Sequence, residues 1–153
     1  MKKKLFIITL SIGLIGLFFY YLAWSLSPGS YAKAERYVLP VPEDTLIAII
    51  KEVKTEHSEI APQPVRYPDG KHTHWHSIYF QYEDSKQHIH TWTRSKNKTH
   101  TTFAFAGYNN ENSVGNWIAA NEYFWWWKNA KAKRMFETRI LQKIKNKIKE
   151  REL

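Results

Sequence analysis

The first hydrophobic feature of the chain is an uncharged run, Leu5–Leu26. As a helix its 22 residues would extend about 33 Å, which is enough to cross the hydrocarbon core of a bilayer, about 30 Å thick. Three lysines at positions 2–4 precede the run, and such a basic end usually stays in the cytoplasm. The pattern therefore predicts a single-pass signal-anchor over residues 1–27, with the lipid bilayer as partner of residues 5–26. The rest of the chain would lie outside the cytoplasmic membrane.

A cleaved signal peptide is the alternative for the same segment. Ala32, Lys33 and Ala34 have the small-x-small form that signal peptidase accepts. The apolar run is longer than the usual hydrophobic region of a signal peptide, and it ends several residues before this motif. Cleavage would give a secreted or periplasmic protein, whereas retention would leave the domain tethered.

Two later segments have the periodicity of amphipathic helices. In the first, Leu46, Ile49, Ile50 and Val53 form one apolar stripe. The second is expected to run from about Ala130 to the C-terminus, and its apolar residues recur at every fourth position: Phe136, Ile140, Ile144 and Ile148. Each helix thus has one face to bury against a sheet or another helix.

Between these helices lie three runs rich in aromatic and β-branched residues, at positions 74–83, 88–94 and 100–108. Their short connections favour an antiparallel meander. We therefore predict an α+β fold: an N-terminal transmembrane helix, then a small domain of a helix, a three-stranded antiparallel sheet and a long C-terminal helix. The domain would comprise residues 41–153, and residues 28–40 would be a linker.

The predicted sheet has two apolar faces, whereas a half-solvated sheet has one. We take Glu83 to lie opposite His88, with the next turn at residues 97–98. One face then carries Ile78, Phe80, Ile89, Ala104 and Ala106. The other, an aromatic face, carries Trp75, Tyr79, Trp92, Phe103 and Phe105, together with His90. Packing of the aromatic rings among themselves is one explanation for this face, and a groove or partner surface is the other.

The segment 72–76 has histidine at alternate positions. In the assumed register, His74, His76 and His100 share one face at one end of the sheet. Three histidines with an open fourth position are a ligand set for catalytic zinc, so these residues are candidate metal ligands. Solvated or hydrogen-bonded histidines at strand ends are the simpler interpretation, and no other cofactor is indicated.

Positive charge is concentrated in the last part of the chain. The formal net charge is +9, and residues 128–153 hold ten Lys or Arg against three Glu. These cations are either the solvated back of the C-terminal helix or, with a tryptophan cluster, a surface for anionic lipid or a protein partner. The candidate residues are Trp125, Trp126, Trp127, Lys143, Lys145, Lys147 and Lys149. An extracytoplasmic location disfavours nucleic acid as the partner.

No catalytic constellation is evident in the sequence, and the absence of cysteine leaves an exported domain without disulfides. The features together predict a membrane-tethered, extracytoplasmic, non-enzymatic binding or accessory module. A small metal-dependent enzyme that uses the histidine cluster is the alternative.

Overall fold

The N-terminal unit is a single helix. The computed structural model describes residues 2–26, 31–61, 67–109 and 116–152. It divides into two compact units, Met1–Ala32 and Lys33–Leu153. Helix α1, Lys2–Ser25, has 24 residues, none of them buried. It has the length and composition of a membrane span or a signal sequence, which confirms the prediction of a long apolar helix at the N-terminus.

The second unit mixes helices with an antiparallel sheet, so the predicted α+β class is confirmed. Its elements in chain order are β1 (Glu35–Leu39), α2 (Glu43–Glu56), a 3-10 turn (Ser58–Ile60), β2 (Gly70–Lys71), β3 (His76–Gln81), β4 (His88–Ser95), β5 (Thr101–Asn109), β6 (Ile118–Ala119), α3 (Trp126–Phe136), a π-helical turn (Glu137–Leu141) and α4 (Gln142–Glu152).

The prediction of three strands is wrong, because the described residues form a sheet of six strands. Its order is β2-β3-β4-β5-β1, and β6 also pairs with β5. The three additional strands are short. Strand β1 lies within the predicted linker and pairs along β5 from Glu35 opposite Phe105 to Leu39 opposite Thr101. Positions 28–30 of that linker lie outside the described residues.

The helices cover one face of the sheet. Both predicted helical stripes are buried there: Leu46, Ile49, Ile50 and Val53 from α2, and Phe136, Ile140, Ile144 and Ile148 from the C-terminal segment. The ring of Phe136 stacks on Phe105 of β5, with centroids 4.7 Å apart. Because each buried side chain of this size stabilises the fold by about 1.5–3 kcal/mol, this layer is the main core.

The register between β4 and β5 differs from the assumed one by a single residue. Ser95 lies opposite Thr101, because Asn97 Oδ1 accepts hydrogen bonds from the backbone N–H groups of Thr99 and His100 and stabilises a five-residue loop. A shift of one residue exchanges the two faces of a strand. Phe103 and Phe105 therefore pack in the main core with Ile78, Phe80 and Ile89, and Ala104 and Ala106 lie on the opposite face.

The pairing of β3 with β4 is shifted by two residues, Gln81 rather than Glu83 lying opposite His88. A shift of two preserves the faces, so Ser77, Tyr79, His90 and Trp92 share the face away from the helices. We call this the aromatic–histidine face.

A bulge in β5 lies at this face, where the register changes between His90 and Thr91. Gly107 lies opposite His90 and also pairs with Ala119 of β6. A Cβ atom at position 107 would collide with the backbone carbonyl of Ile118, so only glycine admits β6 this closely.

Candidate functional site

The alternating histidines lie in and beside the connection between β2 and β3. His72, His74 and His76 line a cleft of about 530 Å³, together with Lys71, Arg94 and the first acidic residues of α2. His100 lies instead at the end of the β4–β5 loop, where its Nδ1 is 2.9 Å from Thr99 Oγ1. Among the described residues, no three His, Cys, Asp or Glu side chains are arranged to hold a metal ion. The structure therefore does not bring His74, His76 and His100 together as the zinc hypothesis requires.

One carboxylate that lines this cleft, that of Glu43, stabilises the fold. Glu43 begins α2, and its Oε1 accepts a hydrogen bond from Thr93 Oγ1 at 2.9 Å. Its Oε2 accepts another from the Ser95 backbone N–H at 3.0 Å. Both oxygens thus join α2 to β4, which explains the position of an acidic residue at the edge of the cleft.

The aromatic–histidine face holds a connected cluster of rings. Tyr79 stacks on His90 with centroids 4.8 Å apart, and Trp117 meets His90 edge-on at 5.6 Å. Tyr67 contacts Tyr79 at 5.4 Å and His88 at 5.2 Å. Trp117 is the most accessible member, with 36% of its surface exposed. An aromatic cluster therefore lies on this face, and of the five residues predicted for it Tyr79 is the one member.

The five residues predicted for this face lie in three different clusters. Tyr79 belongs to the ring cluster, and Trp92 packs in a smaller cluster with Ala104, Ala106, Ala34 and Trp75. Phe103 and Phe105 are in the main core.

Ser77 and His90 form a polar pair within the aromatic–histidine face that sequence reasoning missed. Ser77 Oγ lies 3.3 Å from His90 Nε2, because the pairing of Tyr79 with His90 puts Ser77 on the adjacent diagonal. Burial lowers the pKa of His90 to about 4, and the positive charge of nearby His72 adds to the effect. His90 is therefore neutral near pH 7. Ser77 and His90 are only 2% and 8% exposed, so a substrate has no direct access to the pair.

A second cleft lies beside the π-helical turn. Its volume is about 450 Å³, and Arg139 crosses it to form a bidentate ion pair with Asp84, at 2.9 and 2.5 Å. Hydrogen bonds from Arg139 lower the pKa of Asp84 to about 2. The guanidinium also lies over the Tyr82 ring, 4.8 Å from its centroid. Because the two charges satisfy one another, the ion pair is a structural link between the β3–β4 turn and the C-terminal helical segment.

The three consecutive tryptophans are exposed where α3 begins. Trp125, Trp126 and Trp127 have 43%, 69% and 53% of their surfaces accessible. They touch one another, with Trp125 stacked on Trp127 at 4.9 Å between centroids. An adjacent groove of about 600 Å³ is lined by Tyr108, Tyr123, Lys128 and Lys131, among others.

The four lysines predicted to accompany these tryptophans fall into two sets. Lys143 Nζ is 3.1 Å from Glu59, and Lys147 Nζ is 2.5 Å from Glu56. Arg151 continues this ladder to Glu52 of α2. Lys145 and Lys149 are on the exposed side of α4. The ladder was not evident from the sequence because its partners lie more than 80 residues apart in the chain.

Comparisons of the chain with protein-family models, with curated proteins and with solved structures found no match.

Proposed function

We propose that the protein is a single-pass, membrane-tethered binding or accessory module, with a cytoplasmic N-terminus and its folded domain outside. The observation that carries this proposal is helix α1, which carries no charge after Lys4 and has no buried residue. A helix satisfies its backbone hydrogen bonds internally, and 24 residues extend about 36 Å, so it is suited to lipid.

The ends of α1 support the orientation. Lys2, Lys3 and Lys4 form the N-terminal end, as expected on the cytoplasmic side. Tyr21 and Trp24 lie near the other end, with ring centroids 6.2 Å apart, where aromatic side chains commonly meet the membrane interface.

The aromatic–histidine face supports binding over catalysis. The Ser77–His90 pair is closed to solvent, whereas Trp117 offers an accessible indole supported by Tyr79 and Tyr67. Aromatic surfaces of this kind contribute large contact areas in binding sites. A metal-dependent enzyme has less support, because the described histidines and carboxylates provide no three-ligand group.

The test is the topology of the full-length chain, and the absence of cysteine makes it direct. Lys145→Cys puts a thiol on an exposed side of α4, in the folded domain. Lys3→Cys puts a thiol at the N-terminal end of α1. In bacterial spheroplasts, a membrane-impermeant maleimide should label Lys145→Cys, and it should label Lys3→Cys only after lysis. The reverse pattern would refute the proposed orientation.

Cleavage is measured in the same samples. Retention predicts an intact chain of 18.2 kDa that stays in the membrane after carbonate extraction. A product that begins after Ala34 and leaves with the soluble fraction would establish the secreted or periplasmic alternative.

A further inference from the structure

We propose that the start of α3 is a second membrane contact, at which tryptophan inserts into the bilayer interface and lysine binds anionic lipid headgroups. This proposal deepens the proposed function and rests on it. The contact, which we call the tryptophan–lysine patch, consists of Tyr123, Trp125, Trp126, Trp127, Lys128 and Lys131.

The three indoles provide the apolar part of the contact. Consecutive helical residues point in directions about 100° apart, so three tryptophans in sequence rarely share one solvent-facing side. Here all three are exposed, because Trp125 precedes the first helical residue and stacks on Trp127. Indole combines a large apolar ring with one N–H donor, and it prefers the interface between headgroups and hydrocarbon.

The groove beside them provides the charge. Lys128 Nζ lies 5.9 Å from the centroid of Tyr123, and Lys131 follows on the same helix. Ser85 and Tyr108, which also line the groove, carry hydroxyl groups that can donate to a phosphate. The lining among the described residues includes no carboxylate. An anionic headgroup is therefore the complementary occupant.

The distribution of ion pairs separates this patch from the basic residues of α4. Lys143 and Lys147 face Glu59 and Glu56, so their charge is largely neutralised. Within the described chain, Lys128 and Lys131 are in no such pair. We therefore assign the headgroup contact to Lys128 and Lys131, which lie beside the tryptophans, and not to the α4 lysines predicted from the sequence.

The tether makes a weak contact sufficient. Each lysine near an anionic surface contributes about fivefold to binding, so two contribute roughly 30-fold. That is too little to recruit a free domain alone, but a domain joined to a transmembrane helix is presented to the bilayer at a high effective concentration.

The experiment uses the full-length chain in vesicles, with a nitroxide on Trp125→Cys, the least exposed of the three tryptophans. Accessibility to a water-soluble nickel reagent is compared between phosphatidylcholine vesicles and vesicles that contain phosphatidylglycerol. We expect the label to be shielded in the anionic vesicles and to return to water at high ionic strength, because salt screens exposed charges. A label on Lys145→Cys should stay accessible in both.

Two matched pairs of substitutions test which lysines bind the anionic headgroups. Lys128→Gln with Lys131→Gln should reduce shielding of the label at position 125 by roughly 30-fold in equilibrium constant. Lys145→Gln with Lys149→Gln removes the same charge from α4 and should leave shielding unchanged. Equal melting temperatures would establish that both pairs remain folded.

Equal accessibility in both kinds of vesicle would overturn the proposal. Shielding that ignores lipid charge but depends on the ratio of protein to lipid would also overturn it, in favour of contact with another protein chain. A chain that resists carbonate extraction while its patch stays in water would refute this inference alone. A chain that is extracted would refute the membrane tether instead.

Discussion

The two faces of the sheet are built differently, although strands β3 and β4 alternate regularly between them. The helix-covered face is mainly apolar and buried: Ile78, Phe80 and Phe105 are each 1% exposed beneath α2 and the C-terminal helix. The aromatic–histidine face instead combines Tyr79 and Trp117 with a buried polar pair, Ser77 and His90. The comparison shows that the helix-covered face is stabilised mainly by apolar packing, whereas the aromatic–histidine face buries a polar pair with a titratable histidine at a cost in free energy.

The largest expected effect comes from charging the helix-covered face. Ile144→Asp should destabilise the domain by roughly 3–5 kcal/mol, since Ile144 is 0% exposed and a carboxylate there would be buried and unpaired. Chemical denaturation measures the loss. The neighbouring change Lys145→Asp, on the exposed side, should alter stability by no more than about 0.5 kcal/mol. Equal effects of the two changes would show that the helix does not pack as described.

The second-largest effect is expected from acid, which acts on the aromatic–histidine face. The pKa of His90 is about 4 in the folded protein, mainly because of burial, and that of an unfolded histidine is near 6.5. The unfolded chain therefore takes up the proton first, and stability should fall as pH drops from 6.5 to 4, by up to about 3 kcal/mol.

The variant His90→Phe keeps a ring against Tyr79 and removes the titration. Its unfolding free energy should therefore fall less than that of the wild type as pH drops from 6.5 to 5, because the contribution of His90 is absent. The same slope in wild type and variant would assign the acid sensitivity to another group.

The ion-pair ladder at the rim of the helix-covered face should contribute less. Lys143→Gln with Lys147→Gln breaks contacts to Glu59 and Glu56, and ion pairs this close to solvent contribute little to the free energy of unfolding. The control pair Lys145→Gln and Lys149→Gln should lower the free energy of unfolding by a smaller amount. Added salt should narrow the difference, and a difference that persists at 1 M salt would contradict an electrostatic origin.

Removal of metal should have the smallest effect on either face. Neither packing against the helices nor the ring cluster requires an ion, so melting curves with and without a chelator should superimpose. A chelator-dependent fall in melting temperature would restore the zinc hypothesis, because structural metal sites contribute directly to folding.

The sequence was sufficient to predict α1, the apolar stripes of both amphipathic helices, and the shared face of Ile78, Phe80 and Ile89. The helical stripes rest on periodicity within one element and α1 on an uninterrupted apolar run, while the shared face was predicted correctly because a shift of two residues in the β3–β4 pairing preserves the faces. Strands β2 and β6 have two residues each, which is too short for a periodic pattern. The face of Phe103 depended on the loop shape that Asn97 imposes, since one residue more in the loop reverses every side chain in β5.

The candidate sites were harder to predict because they depend on distant partners. Lysine at every second position of α4 predicts a basic helix, but it does not reveal that α2 neutralises Lys143 and Lys147. The Ser77–His90 contact likewise requires the exact pairing of β3 with β4.

The π-helical turn explains how residues spaced by four can keep one side of a long helix buried. In an α-helix each step of four advances about 40° around the axis, so Phe136 and Ile148 would differ by about 120°. At residues 137–141 the N–H of Gln142 bonds the carbonyl of Glu137, and this wider turn accommodates one additional residue. The additional residue turns the helix back by about 100°, so Phe136, Ile140, Ile144 and Ile148 all remain at most 4% exposed. Deleting one residue from the turn would restore the α-helical pitch and leave Ile144 and Ile148 facing the core, because seven and eleven residues of α-helix each return to within about 20° of Phe136.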